Sequence, residues 1–246
     1  MFQGRNAPSL TEARSLADVF IARCDAAPDA PIYIDLDDDG RPASALSGRA
    51  LAGRAAAFAA RLADVSAAGD RVLLLLPPGL DFVVAFWGCV LAGRVAVPVP
   101  SLDAARLKNA APRLRAIALD AQAACVVLPP TLAERWATTD GLPETFLLAM
   151  ASNAADEAER SLPATAAASD PDATVYLQYT SGSTRTPRGV VIDSYNVLAQ
   201  CRAIGTAAGI DAESRILSWL PHHHDYGLVQ GVLLPVCVGA TGHLMS

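Results

Sequence analysis

The stretch that decides the fold is VLLLLPPGLDFVVAFWGCVLAGRVAVPV, residues 72–99. Its first five residues are apolar and end at two prolines and a glycine, a pattern typical of a buried parallel strand. A helix is predicted over Leu80–Ala92, with Asp81 in the first turn, where the helix dipole favours negative charge, and Gly93 as C-terminal cap. A second short strand is predicted at Val95–Val99. Together these elements predict one right-handed βαβ unit.

Helix and strand patterns also alternate on the N-terminal side of this unit. A helix is predicted at Leu16–Cys24, a strand at Pro31–Leu36, and a helix at Gly48–Ala63 with Ser47 as its N-cap. An acidic run that ends at Gly40 separates the strand from the second helix. We interpret this run as a solvated turn, while a cation site formed by its carboxylates is the alternative.

The alternation continues on the C-terminal side. An amphipathic stretch at Leu102–Leu119 predicts a helix with a break or kink at Pro112, because proline lacks the backbone donor that a helix interior requires. A strand is predicted at Ala124–Leu128. Alternating strands and helices favour an α/β fold with layered α-β-α architecture, and we expect this class for the whole chain.

The best candidate for a linker is Ala151–Asp172, where the composition shifts to Ala, Ser, Asp, Glu and Pro with little apolar periodicity. We therefore expect two parts. The first is an N-terminal α/β subdomain at residues 1–160. The second, at residues 161–246, is the start of another subdomain, and it contains the loop described below.

Composition narrows the class of protein. Of 246 residues, 52% are hydrophobic and 18% charged, so most of the chain is expected to be folded. A net charge of −6 and a single lysine, Lys108, argue against a nucleic-acid surface. No signal peptide or uninterrupted apolar run of membrane-spanning length is present, so no transmembrane segment is expected. Five widely spaced cysteines predict reduced thiols in a cytoplasmic protein.

The most informative segment joins two predicted strands, Thr174–Tyr179 and Val190–Ile192. It reads Thr180-Ser181-Gly182-Ser183-Thr184-Arg185-Thr186-Pro187-Arg188-Gly189. Small residues let backbone N–H groups form an anion-binding concavity, hydroxyls add donors, and arginine offers a fork that matches phosphate oxygens. A strand follows instead of a Lys-Ser or Lys-Thr pair and a helix, so this is not a Walker A loop. These residue types alone leave open a Ser/Thr-rich surface loop without a ligand.

The full string, Tyr179-Thr180-Ser181-Gly182-Ser183-Thr184-x-x-Pro187-Arg188-Gly189-Val190, resembles the signature loop of the adenylate-forming superfamily. This superfamily comprises acyl-CoA synthetases, peptide-synthetase adenylation domains and luciferases. The resemblance implies that the loop wraps the β- and γ-phosphates of ATP. It implies nucleotide binding by Thr180, Ser181, Gly182, Ser183, Thr184, Arg188 and Gly189. It also implies Mg²⁺, with ligands expected beyond residue 246.

Two positions of the loop depart from the commonest family pattern. Arg185 stands where most members have glycine, and Arg188, where they have lysine, keeps the positive charge. The Leu-Gln-Tyr lead-in, Arg185 and the stretch at residues 69–98 resemble the fatty acyl-AMP ligase branch. That branch implies a fatty acid substrate and an acyl carrier protein as acceptor. Ser194 replaces the usual histidine, and Asp193 or Ser194 is expected to cap the next helix.

Three of the four histidines stand together in Trp219-Leu220-Pro221-His222-His223-His224-Asp225-Tyr226-Gly227-Leu228. Consecutive residues of an extended segment point to alternate faces, so the three are not expected to converge on a metal ion. The segment resembles the next family motif, which follows a strand and opens a helix. The resemblance implies a catalytic His224 in the wall between adenylate and acyl pocket; a histidine merely packed at the helix start is the alternative. His222 and His223 are given no role.

Family members are longer than this chain. Contacts to adenine, ribose and Mg²⁺ and a catalytic lysine are expected after residue 246, so we expect the N-terminal part of a ligase that is inactive alone. The last strand is expected to lack partners, and Leu233–Leu244 to expose apolar surface. A coenzyme-A ligase and a non-catalytic degenerate adenylation module are the alternatives to an acyl-AMP ligase.

Overall fold

The computed structural model describes residues 15–103, 105–143, 145–150, 172–179 and 187–245. The predicted linker therefore lies outside the described residues, apart from Asp172. Within the described ranges the helices are α1 (Leu16–Ala26), α2 (Gly48–Ala63), α3 (Leu80–Ala92), α4 (Leu107–Ala121), α5 (Pro130–Ala137), α6 (Ser194–Ala208), α7 (Asp225–Leu228) and α8 (Leu234–Val238), with a π-helical turn at Val229–Leu233. The strands are β1 (Pro31–Leu36), β2 (Pro42–Ser47), β3 (Arg71–Leu74), β4 (Val95–Pro98), β5 (Ala123–Leu128), β6 (Phe146–Ala149), β7 (Thr174–Tyr179), β8 (Gly189–Asp193), β9 (Arg215–Ser218) and β10 (Thr241–Met245).

The larger sheet is built around the predicted βαβ unit. Its six strands lie in the order β6-β5-β3-β4-β7-β8, and neighbouring strands are parallel except β7 and β8. Side chains alternate between its faces: Val72 and Leu74 join the core that contains α2 and α3, whereas Leu73 and Leu75 pack with α4 and α5. Helices thus cover both faces, and the predicted α/β class with layered α-β-α architecture is confirmed.

The smaller sheet joins distant parts of the chain, in the order β2-β1-β10-β9. Strand β10 is parallel to both of its neighbours, with Gly242 opposite Tyr33 on one side and Ile216 on the other. The expectation of a last strand without partners is therefore wrong. The expected apolar exposure is wrong as well, because the large apolar side chains of that region are buried: Leu233, Leu234, Val236, Cys237 and Leu244.

Both sheets share one hydrophobic core, and α3 lies at its centre. Ten of the 13 residues of α3 are buried. The ring of Phe20 stacks on Trp87 with 4.7 Å between centroids. Trp87 Nε1 donates a hydrogen bond of 3.4 Å to the buried hydroxyl of Tyr33. Gly88 allows α2 to approach closely, since a Cβ there would lie 2.6 Å from Phe58 Cδ1.

The starts of α1 and α6 are tied together by a buried hydroxyl. Ser194 Oγ accepts a hydrogen bond of 3.1 Å from the backbone N–H of Leu16. Asp193 caps α6 instead, because its Oδ1 accepts a hydrogen bond of 2.7 Å from the Asn196 N–H. Of the two predicted caps, Asp193 is therefore confirmed, and Ser194 connects two elements that are far apart in sequence.

The acidic segment forms the turn between β1 and β2. Asp37 Oδ1 accepts hydrogen bonds from the N–H groups of Asp39 and Arg41 at 3.0 and 2.8 Å, and Asp39 pairs with the Arg41 guanidinium at the surface. The predicted solvated turn is therefore confirmed. Strand β2 is missing from the sequence interpretation because its first four residues are exposed and carry no alternating apolar pattern. Helix α4 continues through Pro112.

Several further expectations can be compared with the described residues. All five cysteines are free and buried. No helix in the described ranges is long and apolar enough to cross a membrane. The division into residues 1–160 and 161–246 stays a prediction. Strands from the second range pair with strands from the first in both sheets, β7 with β4 and β10 with β1.

The Arg54–Asp81 ion pair tests how α2 and α3 are held together. Arg54 Nη2 lies 2.8 Å from Asp81 Oδ1, and the side chains are only 12% and 23% exposed. Asp81→Ala should lower the free energy of unfolding by about 2 kcal/mol, because a largely buried guanidinium loses its carboxylate. Urea denaturation measures this change.

The matched control is Asp39→Ala. It removes an ion pair with Arg41 of the same 2.8 Å length, in which the side chains are 74% and 69% exposed. Its effect should stay below about 0.5 kcal/mol, because exposed pairs are screened by water. Equal losses in the two variants would show that burial is not what gives the Arg54–Asp81 pair its weight.

Candidate functional site

Strands β7 and β8 carry the predicted phosphate loop. They are antiparallel, and Tyr179 stands opposite Gly189, so the chain at residues 180–188 leaves and returns at neighbouring points. Arg188 is exposed and Gly189 is half-buried. The remaining predicted nucleotide ligands lie outside the described residues: Thr180, Ser181, Gly182, Ser183 and Thr184. Nucleotide binding by these residues stays a prediction.

The histidine segment follows β9 and opens α7, as the motif predicts. Its three rings have different surroundings. His222 is buried, with its ring centroid 5.0 Å from that of Phe82. His223 is half-buried, and its ring lies 4.4 Å from that of the exposed His224. His224 is the N-cap residue of α7, but its side chain makes no capping hydrogen bond.

Metal binding by side chains was also considered for the described part of the chain. Within residues 15–103, 105–143, 145–150, 172–179 and 187–245, no group of three or more His, Cys, Asp or Glu side chains is arranged to hold a metal ion. In the histidine segment the extended backbone explains this arrangement. It directs His222 into the core beside Phe82, while His224 faces solvent.

The turn within the segment requires glycine at position 227. A Cβ on Gly227 would lie 2.3 Å from the carbonyl oxygen of Pro221, far closer than any real contact. The same oxygen accepts a hydrogen bond of 3.0 Å from the His224 N–H. The Pro221 carbonyl is therefore enclosed by the first residues of α7, which gives the glycine of this motif a physical reason.

Gln178 connects the two predicted motifs. It is the next-to-last residue of β7 and 8% exposed, and its Nε2 donates a hydrogen bond of 2.8 Å to the carbonyl oxygen of His223. Its Oε1 is buried and has no hydrogen-bond partner among the described residues. In the sequence, Gln178 was used only as a marker of the branch. Its contact is tertiary, and no local pattern reveals it.

Burial keeps the first two histidines neutral. Burial, followed by the neighbouring His223, lowers the pKa of His222 to about 4. Burial, followed by His224 and Arg113, lowers the pKa of His223 to about 4. Near neutral pH these two imidazoles therefore contribute packing and hydrogen-bonding groups rather than positive charge.

The lowered pKa of His222 predicts acid-sensitive folding. A histidine in the unfolded chain titrates near 6.5 and His222 in the folded chain near 4, so the unfolded state binds more protons between these values. The contribution to the free energy of unfolding is complete above the unfolded pKa. It falls by up to about 3 kcal/mol as the pH drops towards the folded pKa.

His222→Leu is the matched variant, because it keeps an apolar contact with Phe82 and removes the titrating group. Urea denaturation across this pH window should show a shallower loss of stability for the variant than for the wild type. The carboxylates titrate equally in both proteins and cancel in the difference. Parallel curves for the two proteins would contradict the assignment to His222.

Comparison with known proteins identifies the family. Residues 20–246 match the family described as AMP-binding enzyme. The chain is 34% identical over 230 residues to the medium-chain-fatty-acid–acyl-carrier-protein ligase JamA of Moorena producens, covering 87% of this chain and 36% of JamA. It is 36% identical over 224 residues to the long-chain-fatty-acid–AMP ligase FadD23 of Mycobacterium tuberculosis, covering 87% and 38% of the two chains.

The fold is similar to that of a fatty acyl-adenylate ligase from L. pneumophila, solved in complex with acyl adenylate and pyrophosphate. The TM-score is 0.82 at 30% identity, and the similarity covers 96% of this chain and 40% of that one. The chain thus spans about two fifths of the length of these relatives. Since the family match extends over most of its residues, the chain belongs to the AMP-binding family of adenylate-forming enzymes and is of the fatty acyl-AMP ligase type.

Proposed function

We propose that this chain takes part in the ATP-dependent activation of a fatty acid to an acyl-adenylate, which then passes to an acyl carrier protein. The observation that carries the proposal is the 2.8 Å hydrogen bond from Gln178 to the His223 carbonyl, because it holds the strand that enters the phosphate loop beside the histidine segment. The names of two relatives support the substrate classes. JamA is named for a medium-chain fatty acid and an acyl carrier protein, and FadD23 for a long-chain fatty acid and AMP.

In the proposed reaction the fatty acid carboxylate attacks the α-phosphorus of ATP in line, and pyrophosphate leaves. Negative charge develops on the departing phosphates, and preorganised donors stabilise it. Arg188 supplies positive charge; it is exposed immediately before β8, where its side chain can reach a ligand from solvent. Backbone and hydroxyl donors are assigned to Thr180, Ser181, Gly182, Ser183, Thr184 and Gly189.

His224 is the catalytic residue that we assign to this chain. Its exposed imidazole stands at the N-cap position of α7, beside the neutral ring of His223. From there it can donate a hydrogen bond to a carboxylate or phosphate oxygen, and a protonated imidazole would stabilise the anionic transition state further. Mg²⁺ would neutralise phosphate charge when bound with ATP. Its protein ligands are proposed to lie beyond residue 246.

ATP–pyrophosphate exchange tests the adenylation step. The assay uses the 246-residue chain and, in parallel, any longer polypeptide that its gene encodes, with medium- and long-chain fatty acids. We expect fatty-acid-dependent exchange by a longer polypeptide. We expect no acyl-AMP from the 246-residue chain, because the ribose and lysine groups of the family are expected after its last residue.

The outcomes of this assay separate the alternatives. A lack of exchange with every carboxylate would contradict the proposal. Acyl-AMP formed by the 246-residue chain would contradict its predicted inactivity. Formation of acyl-coenzyme A, with no transfer to an acyl carrier protein, would identify a coenzyme-A ligase instead.

Calorimetry with ATP tests phosphate binding by the 246-residue chain itself. Replacing Ser183 and Thr184 together by alanine should weaken ATP binding by about tenfold, because two hydroxyl donors are lost. The control replaces Thr138 and Thr139 by alanine, two adjacent hydroxyls that donate to the Arg135 carbonyl at the exposed end of α5. Equal affinities in the two double variants would contradict the loop assignment, and no binding by the wild type would favour a degenerate module.

A further inference from the structure

Tyr179, the last residue of β7, is held by a side chain from another part of the chain. Its hydroxyl donates a hydrogen bond of 2.6 Å to Asp120 Oδ2. This length is typical of a bond between a hydroxyl and an ionised carboxylate. Tyr179 is buried in the cluster that includes Leu114 and Ile117 of α4, and Asp120 is exposed. The bond therefore links the surface of α4 to the strand end that carries the phosphate loop.

The position of Asp120 is not explained by α4 itself. It is the next-to-last residue of that helix, where unpaired backbone carbonyls create partial negative charge. A carboxylate at this place opposes the helix dipole. Side chains that violate a local rule in this way are expected where they serve a contact elsewhere in the structure. The hydrogen bond to Tyr179 is such a contact.

Backbone pairing supports this strand end mainly from one side. Towards β4, the ladder registers the pair Ala96–Tyr176, three residues before Tyr179. Towards β8, pairing continues until Tyr179 meets Gly189. Gly189 also packs on the tyrosine ring, since a Cβ there would lie 3.0 Å from Tyr179 Cζ. The residue that precedes the loop thus touches the residue that ends it.

The hydroxyl of Tyr179 remains a donor under ordinary conditions. Burial, followed by the hydrogen bond to Asp120 and the charge of its carboxylate, raises the pKa of Tyr179. The phenol is therefore neutral across the neutral pH range, and its proton stays available for the carboxylate. The contact does not depend on a titration that buffer conditions would change.

We propose that Asp120 and Tyr179 are positioning residues for the phosphate loop, and that their hydrogen bond sets where both ends of residues 180–188 stand. This inference rests on the proposed role of the loop as the cradle for the phosphates of ATP. A loop whose ends shift presents its donors in the wrong geometry, so phosphate affinity falls. The fold changes little, because Asp120 released from the contact is already at the surface and becomes hydrated.

The test measures binding of inorganic pyrophosphate and of ATP to the 246-residue chain by calorimetry, together with the Tm of each variant. Tyr179→Phe and Asp120→Leu should each weaken pyrophosphate binding by about fivefold while Tm changes little. The double variant should bind no more weakly than either single variant, because both changes remove the same bond. Asp120→Asn keeps an acceptor oxygen and should bind like the wild type. Tyr195→Phe, at a side chain that is 70% exposed, is the matched control.

Each outcome decides the inference. Unchanged pyrophosphate affinity in Tyr179→Phe and Asp120→Leu would overturn the positioning role, and so would a lower Tm without any loss of affinity. Additive losses in the double variant would overturn it as well, since they would indicate two independent effects. If the wild-type chain binds neither pyrophosphate nor ATP, the proposed function of the loop fails and the inference fails with it. The wild-type titration thus separates the two failures.

Discussion

The structure depends on burying α3, a helix without a polar face beyond its first turn. Such a helix is stable only when other elements surround it on all sides. Phe20 from α1, Phe58 from α2 and Tyr33 from β1 belong to the core around it, and β3 and β4 of the larger sheet contact it as well. Since β1 belongs to the smaller sheet, covering this one helix brings the two sheets together. The Arg54–Asp81 pair then closes the polar end of α3 against α2.

This packing also determines where the candidate site lies. Ligands of α/β proteins bind beyond the carboxyl ends of parallel strands. The phosphate loop follows the carboxyl end of β7 in the larger sheet, and the histidine segment follows the carboxyl end of β9 in the smaller sheet. Gln178 bonds to His223 across these two ends, and Phe82 at the start of α3 supports the His222 ring. The helix that organises the core therefore also fixes the relative position of the two motifs.

How far the sequence alone could predict this arrangement depends on how local the controlling interactions are. Helix α3 and strands β1 and β7 have the predicted bounds, because long apolar runs and Gly or Pro breakers define them locally. Strand β10 was misjudged, because its partner β1 lies at the other end of the chain and no pattern near Gly242 indicates it. The contacts of Gln178 and Asp120 are equally non-local. The nucleotide ligands at residues 180–186 rest on the family resemblance, since they lie outside the described residues.

The two last residues of β7 explain how a loop of small residues can be positioned from its base. Glycine and short hydroxyl residues leave the backbone many conformations, and ordering them on a ligand opposes binding. Because side chains alternate along a strand, Gln178 and Tyr179 reach opposite faces, one to the histidine segment and the other to α4. Two hydrogen bonds in opposite directions restrain rotation of the strand end about its own axis. A ladder bond to β4 at this point would restrain its distance from the sheet and leave that rotation freer, so the side chains, not the backbone pairing, are the better determinant of where the loop begins.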